Sequence, residues 1–491
     1  MDAWVGHAGC SRTVSILGTR VLRVEDPKFL TSGGVYADDL RDPRLEGAGH
    51  VTYVRSVMAH ARFTVDVSAA AATPGVLGVF TAADFADLEL PPLPLGMLPP
   101  LMARPWLATD VARYVGEPLA AIVTESRYAG EDAVELVSVD YEPLTAVIDP
   151  HDAAKDQTLL FPAAGNNTAL AFGAGDPDTV LDGCEVVVRQ DIHNQRVAPA
   201  PLEVRGSACA WDEADGGGRL TFWASTQNPH DARTIIAQSL SIDPERVHFI
   251  APDVGGGFGA KFGVSNEDLA LAVLARRLNR PMRWTESRTE NLLSMGHGRA
   301  QHQTIGIGGR RDGTIEAYAL EVLQDSGAYP HFGAVLPFMT QMMATGVYAI
   351  PKLGIRTKSV VTNTSSVVAY RGAGRPEATA AIERAVDLFA NEIGMDPADV
   401  RRKNFLSPDV FPVTTPAGAT YDSGEYAKAL EAVLAAADYP ALRAEQTRRR
   451  DNGDRLQMGI GLASYVEITA GPEPGAEFAR INVTPDGSVI V

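Results

Sequence analysis

A chain of 491 residues, 45% of them hydrophobic, is long enough for two to four domains with ample core. Its net charge of −18 argues against nucleic-acid binding, which needs a basic face. No run of eighteen apolar residues occurs and the N-terminus lacks the cationic start and apolar core of a secretory signal, so the sequence predicts no membrane span and a cytoplasmic location.

Along the chain, residues 1–17 read as a loose extension. Short strands are expected at 51–54, 63–67 and 120–124, a helix near 128–136 and a strand at 137–141. The Pro-rich segment 90–105 reads as a long loop, better suited to a partner than to the core, and 151–175, rich in Ala, Gly and Asn, as a linker. Residues 220–226 read as a strand whose end, Gln227-Asn228-Pro229-His230, opens a helix reaching about 240. A strand-like run at 246–250 enters Val254-Gly255-Gly256-Gly257-Phe258-Gly259-Ala260-Lys261 before a helix at 266–278. A β-rich run over 360–370 ends in Tyr370-Arg371-Gly372-Ala373-Gly374-Arg375-Pro376, followed by a helix at 377–393 and a Gly394 stop. The charged run 442–455 reads as a solvated helix and turn. Residues 477–484 alternate apolar and polar, Pro485-Asp486-Gly487 signals a turn, and the return strand 488–491 reads as cut in mid-hairpin, with an unpaired edge.

Three strand ends thus deliver polar or Gly-rich turns into helix starts. Gln227 offers an amide, Gly257 to Gly259 a bare backbone, Arg371 a fixed cation, and the helix after the glycine loop an N-terminal dipole. Together they suit a large, polar, anionic cofactor. A phosphate-binding P-loop is excluded, because Ala260 separates Gly259 from Lys261 and Phe262 replaces the hydroxyl residue. A dinucleotide fingerprint over Gly255, Gly257 and Ala260 fits better, but its ribose-binding acid would have to be Glu286, somewhat beyond the usual ~20 positions. Duller readings stand beside these: a turn that only packs a helix on a sheet, a strand-end cap for Gln227, an ion pair for Arg371. Cys10, Cys184 and Cys209 are too scattered for an iron–sulfur centre, and His297 and His302 read as loop or core residues.

Together with Tyr114-Val115-Gly116-Glu117-Pro118 and Val139-Asp140-Tyr141-Glu142-Pro143-Leu144, these motifs make the chain resemble the molybdenum-binding large subunits of the xanthine dehydrogenase, aldehyde oxidase and carbon monoxide dehydrogenase family, from about residue 20 onwards. The resemblance implies an α+β architecture: an α/β hammerhead domain (18–150), the 151–175 linker, a first molybdopterin-binding domain (176–410) and a second, incomplete one (411–491). It implies a molybdenum–molybdopterin cytosine dinucleotide held through the pterin dithiolene, with no direct protein ligand to the metal. It also implies FAD on a medium subunit and [2Fe-2S] clusters on a small subunit, in a dimer of heterotrimers that oxidises an aldehyde or aromatic heterocycle with water as oxygen source.

Carried over to this sequence, Gln227 and Arg371 would be catalytic, and Gln227, Gly256, Gly257, Phe258, Gly259 and Arg371 would bind the cofactor. Phe262 and Gly372 would line the substrate pocket. Gly372 stands where carbon monoxide dehydrogenases place a copper-holding cysteine, which argues against carbon monoxide as substrate. The version of this motif here resembles the second-form relatives. Phe262 stands where purine hydroxylases place a glutamate, which argues against xanthine. The family's proton-accepting glutamate and its Gly-Gln-Gly loop have no counterpart in these 491 residues, so the chain is expected to be inactive alone. Two alternatives follow: a non-catalytic truncated or split subunit, and a nicotinamide-dependent dehydrogenase.

Overall fold

The computed structural model describes residues 18, 20, 22–93, 95–213, 218–468 and 479–490. The expected extension at 1–17 lies outside them, as does Cys10. The first part of the chain contributes β1 (Gly49–Arg55), β2 (Ala61–Asp66), β3 (Val76–Thr81), β4 (Val111–Ala112), β5 (Pro118–Thr124) and β6 (Ser138–Pro143). The next contributes β7 (Thr168–Ala174), β8 (Val186–Asn194), β9 (Gly206–Asp212), β10 (Arg219–Ala224), β11 (Val247–Ile250), β12 (Met282–Thr285), β13 (Gln301–Gly309), β14 (Ile315–Asp325) and β15 (Lys352–Val360).

Seven strands form one mixed sheet in the order β11-β10-β9-β12-β1-β5-β3. The boundary expected between the hammerhead and the cofactor domain therefore runs through a sheet, because β1 pairs in parallel with β12 (Gly49 opposite Met282). β5, Pro-Leu-Ala-Ala-Ile-Val-Thr, is buried along its whole length, as a continuous apolar run between two neighbours demands. A second sheet, β7-β15-β14-β13-β8, is covered by the Arg375–Ile393 helix, and β4-β2-β6 makes a small third sheet. That helix buries Ala378, Ala381, Ile382, Ala385, Val386 and Phe389 at three- and four-residue spacing, the pattern of one helical face. Each large apolar side chain sealed there contributes ~2 kcal/mol.

Three expectations are corrected. The β-rich run at 360–370 is not a strand; the strand is Lys352–Val360. Beyond it the backbone bonds in turn to Asn167, Gly327, Val147 and Ser326, so no single neighbour supplies a ladder. The 151–175 linker is partly built in, since Thr168–Ala174 is the edge strand beside β15 and Leu160, Phe161 and Ala169 join a core cluster. The Pro-rich segment also enters that core through Leu98 and Met102, because its apolar side chains find a partner surface around Tyr329 and Val360. The expected hairpin forms at Asn482–Val483 and Val489–Ile490, and residues 477, 478 and 491 of it lie outside the described residues. Among the described residues no helix is long and apolar enough to cross a membrane.

Candidate functional site

β10 and β11 are parallel neighbours, so their C-terminal ends open side by side. This is where open α/β sheets place ligand sites. The turn after β10 presents Gln227; the turn after β11 is the glycine loop. They are joined directly: Gly259 N–H donates to Gln227 Oε1 at 2.8 Å and Gln227 N–H to Lys261 O at 2.9 Å. The third turn closes on the same loop, with Arg371 N–H donating to Phe258 O at 2.9 Å. Gln227, Gly256, Gly257, Phe258, Gly259 and Arg371, scattered over 145 positions, therefore meet at one place.

Close approach explains the glycine at 259. A Cβ there would stand 2.5 Å from Ala369 O, and φ is +98°. Phe258 is held at φ +54°, a conformation that costs a non-glycine residue on the order of 1 kcal/mol and persists only where the surroundings enforce it. Gln227, Phe258 and Arg371 are exposed. Among the described residues the Gln227 NH2 and the Arg371 guanidinium have no partner, so no described carboxylate pairs with Arg371. Both donors are left facing outwards from a loop that side chains could not line, a fit for an oxygen-rich anionic cofactor.

The helix dipole does less than the sequence suggested. Ser265 caps the Asn266–Arg277 helix and accepts from Asp268 N–H, while Asp268 reaches back to Ser265. Its N-terminus is thus closed by its own side chains. Glu267, next in the first turn, lies among Arg55, Arg104 and Arg205 at 3.2, 3.5 and 3.8 Å. Burial alone would raise its pKa, but the three guanidiniums outweigh it and hold the carboxyl well below the usual range. Tyr53 OH donates to Glu267 O, so this cluster also ties β1 to the helix behind the loop.

A cavity of about 270 Å³ lies along the same loop, lined among others by Gly259, Phe262, His331 and Phe332. Phe262 lines it, with its ring edge-to-face on Phe332 at 5.5 Å. Gly372 does not line this cavity; it turns at φ +93°, where a Cβ would stand 2.3 Å from Pro376 Cγ. The backbone there admits no cysteine side chain. Glu286, the acid a dinucleotide reading needs, is sealed by Arg205 at 2.7 Å and by Asn291, out of reach of any ribose. His297 lies between the named elements, where its backbone bridges to Val367 and its Nε2 lies 3.2 Å from Leu292 O. His302 stacks on His193 at 4.2 Å.

Sequence reasoning missed the residues that hold the loop in place. Lys261 Nζ, buried inside the loop, donates to Glu203 O, Glu203 Oε2 and Ser225 Oγ at 2.8, 2.9 and 2.8 Å, and Gly255 N–H donates to the same carboxylate at 2.8 Å. Arg299 clamps the third turn through Tyr370 O and Arg371 O at 3.0 and 2.6 Å and pairs with buried Glu377 at 3.3 Å. A lysine inside a glycine loop that is not a P-loop was the only available signal. Among the described residues no group of three or more His, Cys, Asp or Glu is placed to hold a metal ion directly.

The chain matches the molybdopterin cofactor-binding domain family over residues 160–405 and the aldehyde oxidase and xanthine dehydrogenase a/b hammerhead domain family over 31–145. It is 35% identical to the carbon monoxide dehydrogenase large chain of Hydrogenophaga pseudoflava, over 98% of this chain and 63% of that one. It is 36% identical to the nicotine 6-hydroxylase large subunit of Paenarthrobacter nicotinovorans, over 93% and 56%. The crystal structure of quinoline 2-oxidoreductase from Pseudomonas putida 86 superposes with a TM-score of 0.83 at 34% identity, covering 89% of this chain and 56% of that one. The chain thus spans less than two thirds of the length of these relatives.

Proposed function

Because the chain belongs to the family of molybdenum hydroxylase large subunits, we propose that it binds a molybdenum–molybdopterin cytosine dinucleotide and oxidises an aldehyde or an aromatic heterocycle. When bound, that cofactor accepts two electrons from the substrate while water supplies the oxygen. Electrons then leave to [2Fe-2S] clusters on a small subunit and FAD on a medium subunit, in a cytoplasmic dimer of heterotrimers. The observation that carries this reading is the meeting of Gln227, Phe258–Gly259 and Arg371, with two donors that have no partner among the described residues.

In this reading the Gln227 NH2 donates to an oxygen on the cofactor, and the Phe258–Gly259 backbone lies against it. Arg371 stabilises negative charge that develops on the substrate, a contribution of about 3 kcal/mol when such a donor is preorganised. Phe262 and Phe332 wall the approach. Gly372 leaves no thiolate for copper, so likeness to carbon monoxide dehydrogenase does not extend to that substrate. The domain division at 18–150, 176–410 and 411–491 belongs to the same proposal, with the first two of these three regions sharing a sheet.

Metal analysis of the complex co-purified from a molybdenum-replete host tests it. One molybdenum per copy without copper is expected, falling in the Gln227→Leu protein; metal-free wild-type protein would overturn the reading.

A further inference from the structure

The segment that grips the third turn is itself held in a strained conformation. Arg299 and Ala300 are successive non-glycine residues in the left-handed region, at φ +63° and +67°. Such residues persist only where the surroundings enforce them, and they gather at functional sites. The enforcement comes from the end of β14. Fully buried Gln324 donates from Nε2 to Arg299 O and Ala300 O at 2.9 and 3.2 Å, and Asp325 N–H donates to Ala300 O at 3.0 Å. Just before the strained pair, the backbone runs against the approach to the third turn. His297 N–H donates to Ser366 O at 3.1 Å and Val368 N–H to His297 O at 2.8 Å. A Cβ at Gly298 would stand 2.1 Å from Tyr370 Cβ, so the two segments meet through bare backbone.

What this segment delivers is one guanidinium. Arg299 donates to two consecutive carbonyls, Tyr370 O and Arg371 O, from two different nitrogens. It lies over the Tyr370 ring at 4.8 Å and is answered by buried Glu377. A planar fork can hold both carbonyls at once, and so fixes the backbone from which the Arg371 side chain leaves. The other side of that residue is fixed by the bond from Arg371 N–H to Phe258 O. A hydrogen-bonded path thus runs from Gln324 through Arg299 to Arg371 and the glycine loop. A charged donor aimed at a reacting group is sensitive to such support, since a displacement of about 1 Å can cost ~100-fold in rate.

We propose that Arg299 is a positioning residue for the oxidation, acting through Arg371 by fixing the backbone from which that side chain reaches the substrate. This rests on the hydroxylase reading and adds to it the group that aims its substrate-facing cation.

The test uses the assembled, molybdenum-loaded complex, with benzaldehyde and quinoline as probes and a dye as electron acceptor. Arg299→Lys keeps a cation beside Glu377, so molybdenum content and denaturant midpoint stay at wild-type values, but an ammonium has no planar fork to hold both carbonyls in line. For the faster probe kcat falls about tenfold with KM within about twofold, because Arg371 acts on charge that develops only in the transition state. In the Arg371→Met background the same change lowers kcat less than about twofold, since the group it aims is gone. Hydrogen exchange needs no turnover: the Arg371 amide exchanges about tenfold faster in Arg299→Lys, while the Gly255 amide on Glu203 keeps its rate. An equal loss of kcat in both backgrounds overturns the proposal, as does an unmoved Arg371 amide. A loaded wild-type complex that turns over neither probe overturns the hydroxylase reading and this inference with it, whereas an Arg299→Lys complex as fast as wild type overturns only the role of Arg299.

Discussion

Replacing Lys261 with Met should release the glycine loop without touching any group that faces the cofactor. Nζ makes three hydrogen bonds inside the protein, one to the Glu203 carboxylate that also accepts from Gly255 and Ser225. Glu203 Oε1 already lacks a partner, so the carboxylate would be left buried with only two donors on its other oxygen. Removing one member of a buried pair costs about 3–5 kcal/mol, and the two remaining donors place this case near 3. At 1.4 kcal/mol per factor of ten, that is roughly a 100-fold rise in the population of the opened loop. Hydrogen exchange reads it directly: the Gly255 and Gly259 amides, which bond Glu203 and Gln227, should exchange about 100-fold faster. The β13–β14 amides, far from the network, should be unchanged. Adding Glu203→Gln should recover about half of the loss, because the expense lies in the unpaired charge. Loop exchange within threefold of wild type, or a double variant no better than Lys261→Met, would refute the reasoning.

Gly259→Ala places its Cβ against Ala369 O and strains a +98° backbone, so the second and third turns should part and molybdenum content fall to below about a tenth of wild type; full loading would count against the convergence of these turns. Arg371→Met has no ion pair to lose among the described residues, so denaturant midpoints should stay within about 0.5 kcal/mol of wild type while kcat drops about 100-fold. Arg299→Met should do the reverse to stability, costing about 3 kcal/mol by stranding Glu377, and equal midpoints for the two variants would contradict this division of labour. His331 makes a pH prediction. Its folded value of about 4 lies below the ordinary 6.5, so the unfolded chain takes up the proton first as pH falls. The stability tied to its neutral form is complete above pH 6.5 and declines towards pH 4, by roughly 3 kcal/mol in all. His331→Leu should flatten that part of the midpoint-against-pH curve, and an unaltered slope would show that the ring titrates normally.

Much of the site was legible because its signals are local. A strand end followed by Asn228 at a cap, glycines where a backbone must pass close, and Gly394 after an apolar-periodic helix each depend only on neighbours in sequence. The resemblance of the motifs named their shared purpose for the same reason. Whether Gln227, Phe258 and Arg371 touch was decided elsewhere, by β10 pairing in parallel with β11 and by Arg299 holding the third turn against the second.

What the chain determined alone was where the helices after the three turns start and which glycines and polar side chains those turns carry. Glu203 and Lys261 are 58 positions apart, and the ion pair between them follows no period. The union of β1 with β12 across the expected domain boundary, and the stranded Nδ1 of His331, belong to tertiary structure for the same reason. A side chain's neighbours in space set its desolvation and its partners, and no pattern along the chain encodes those distances.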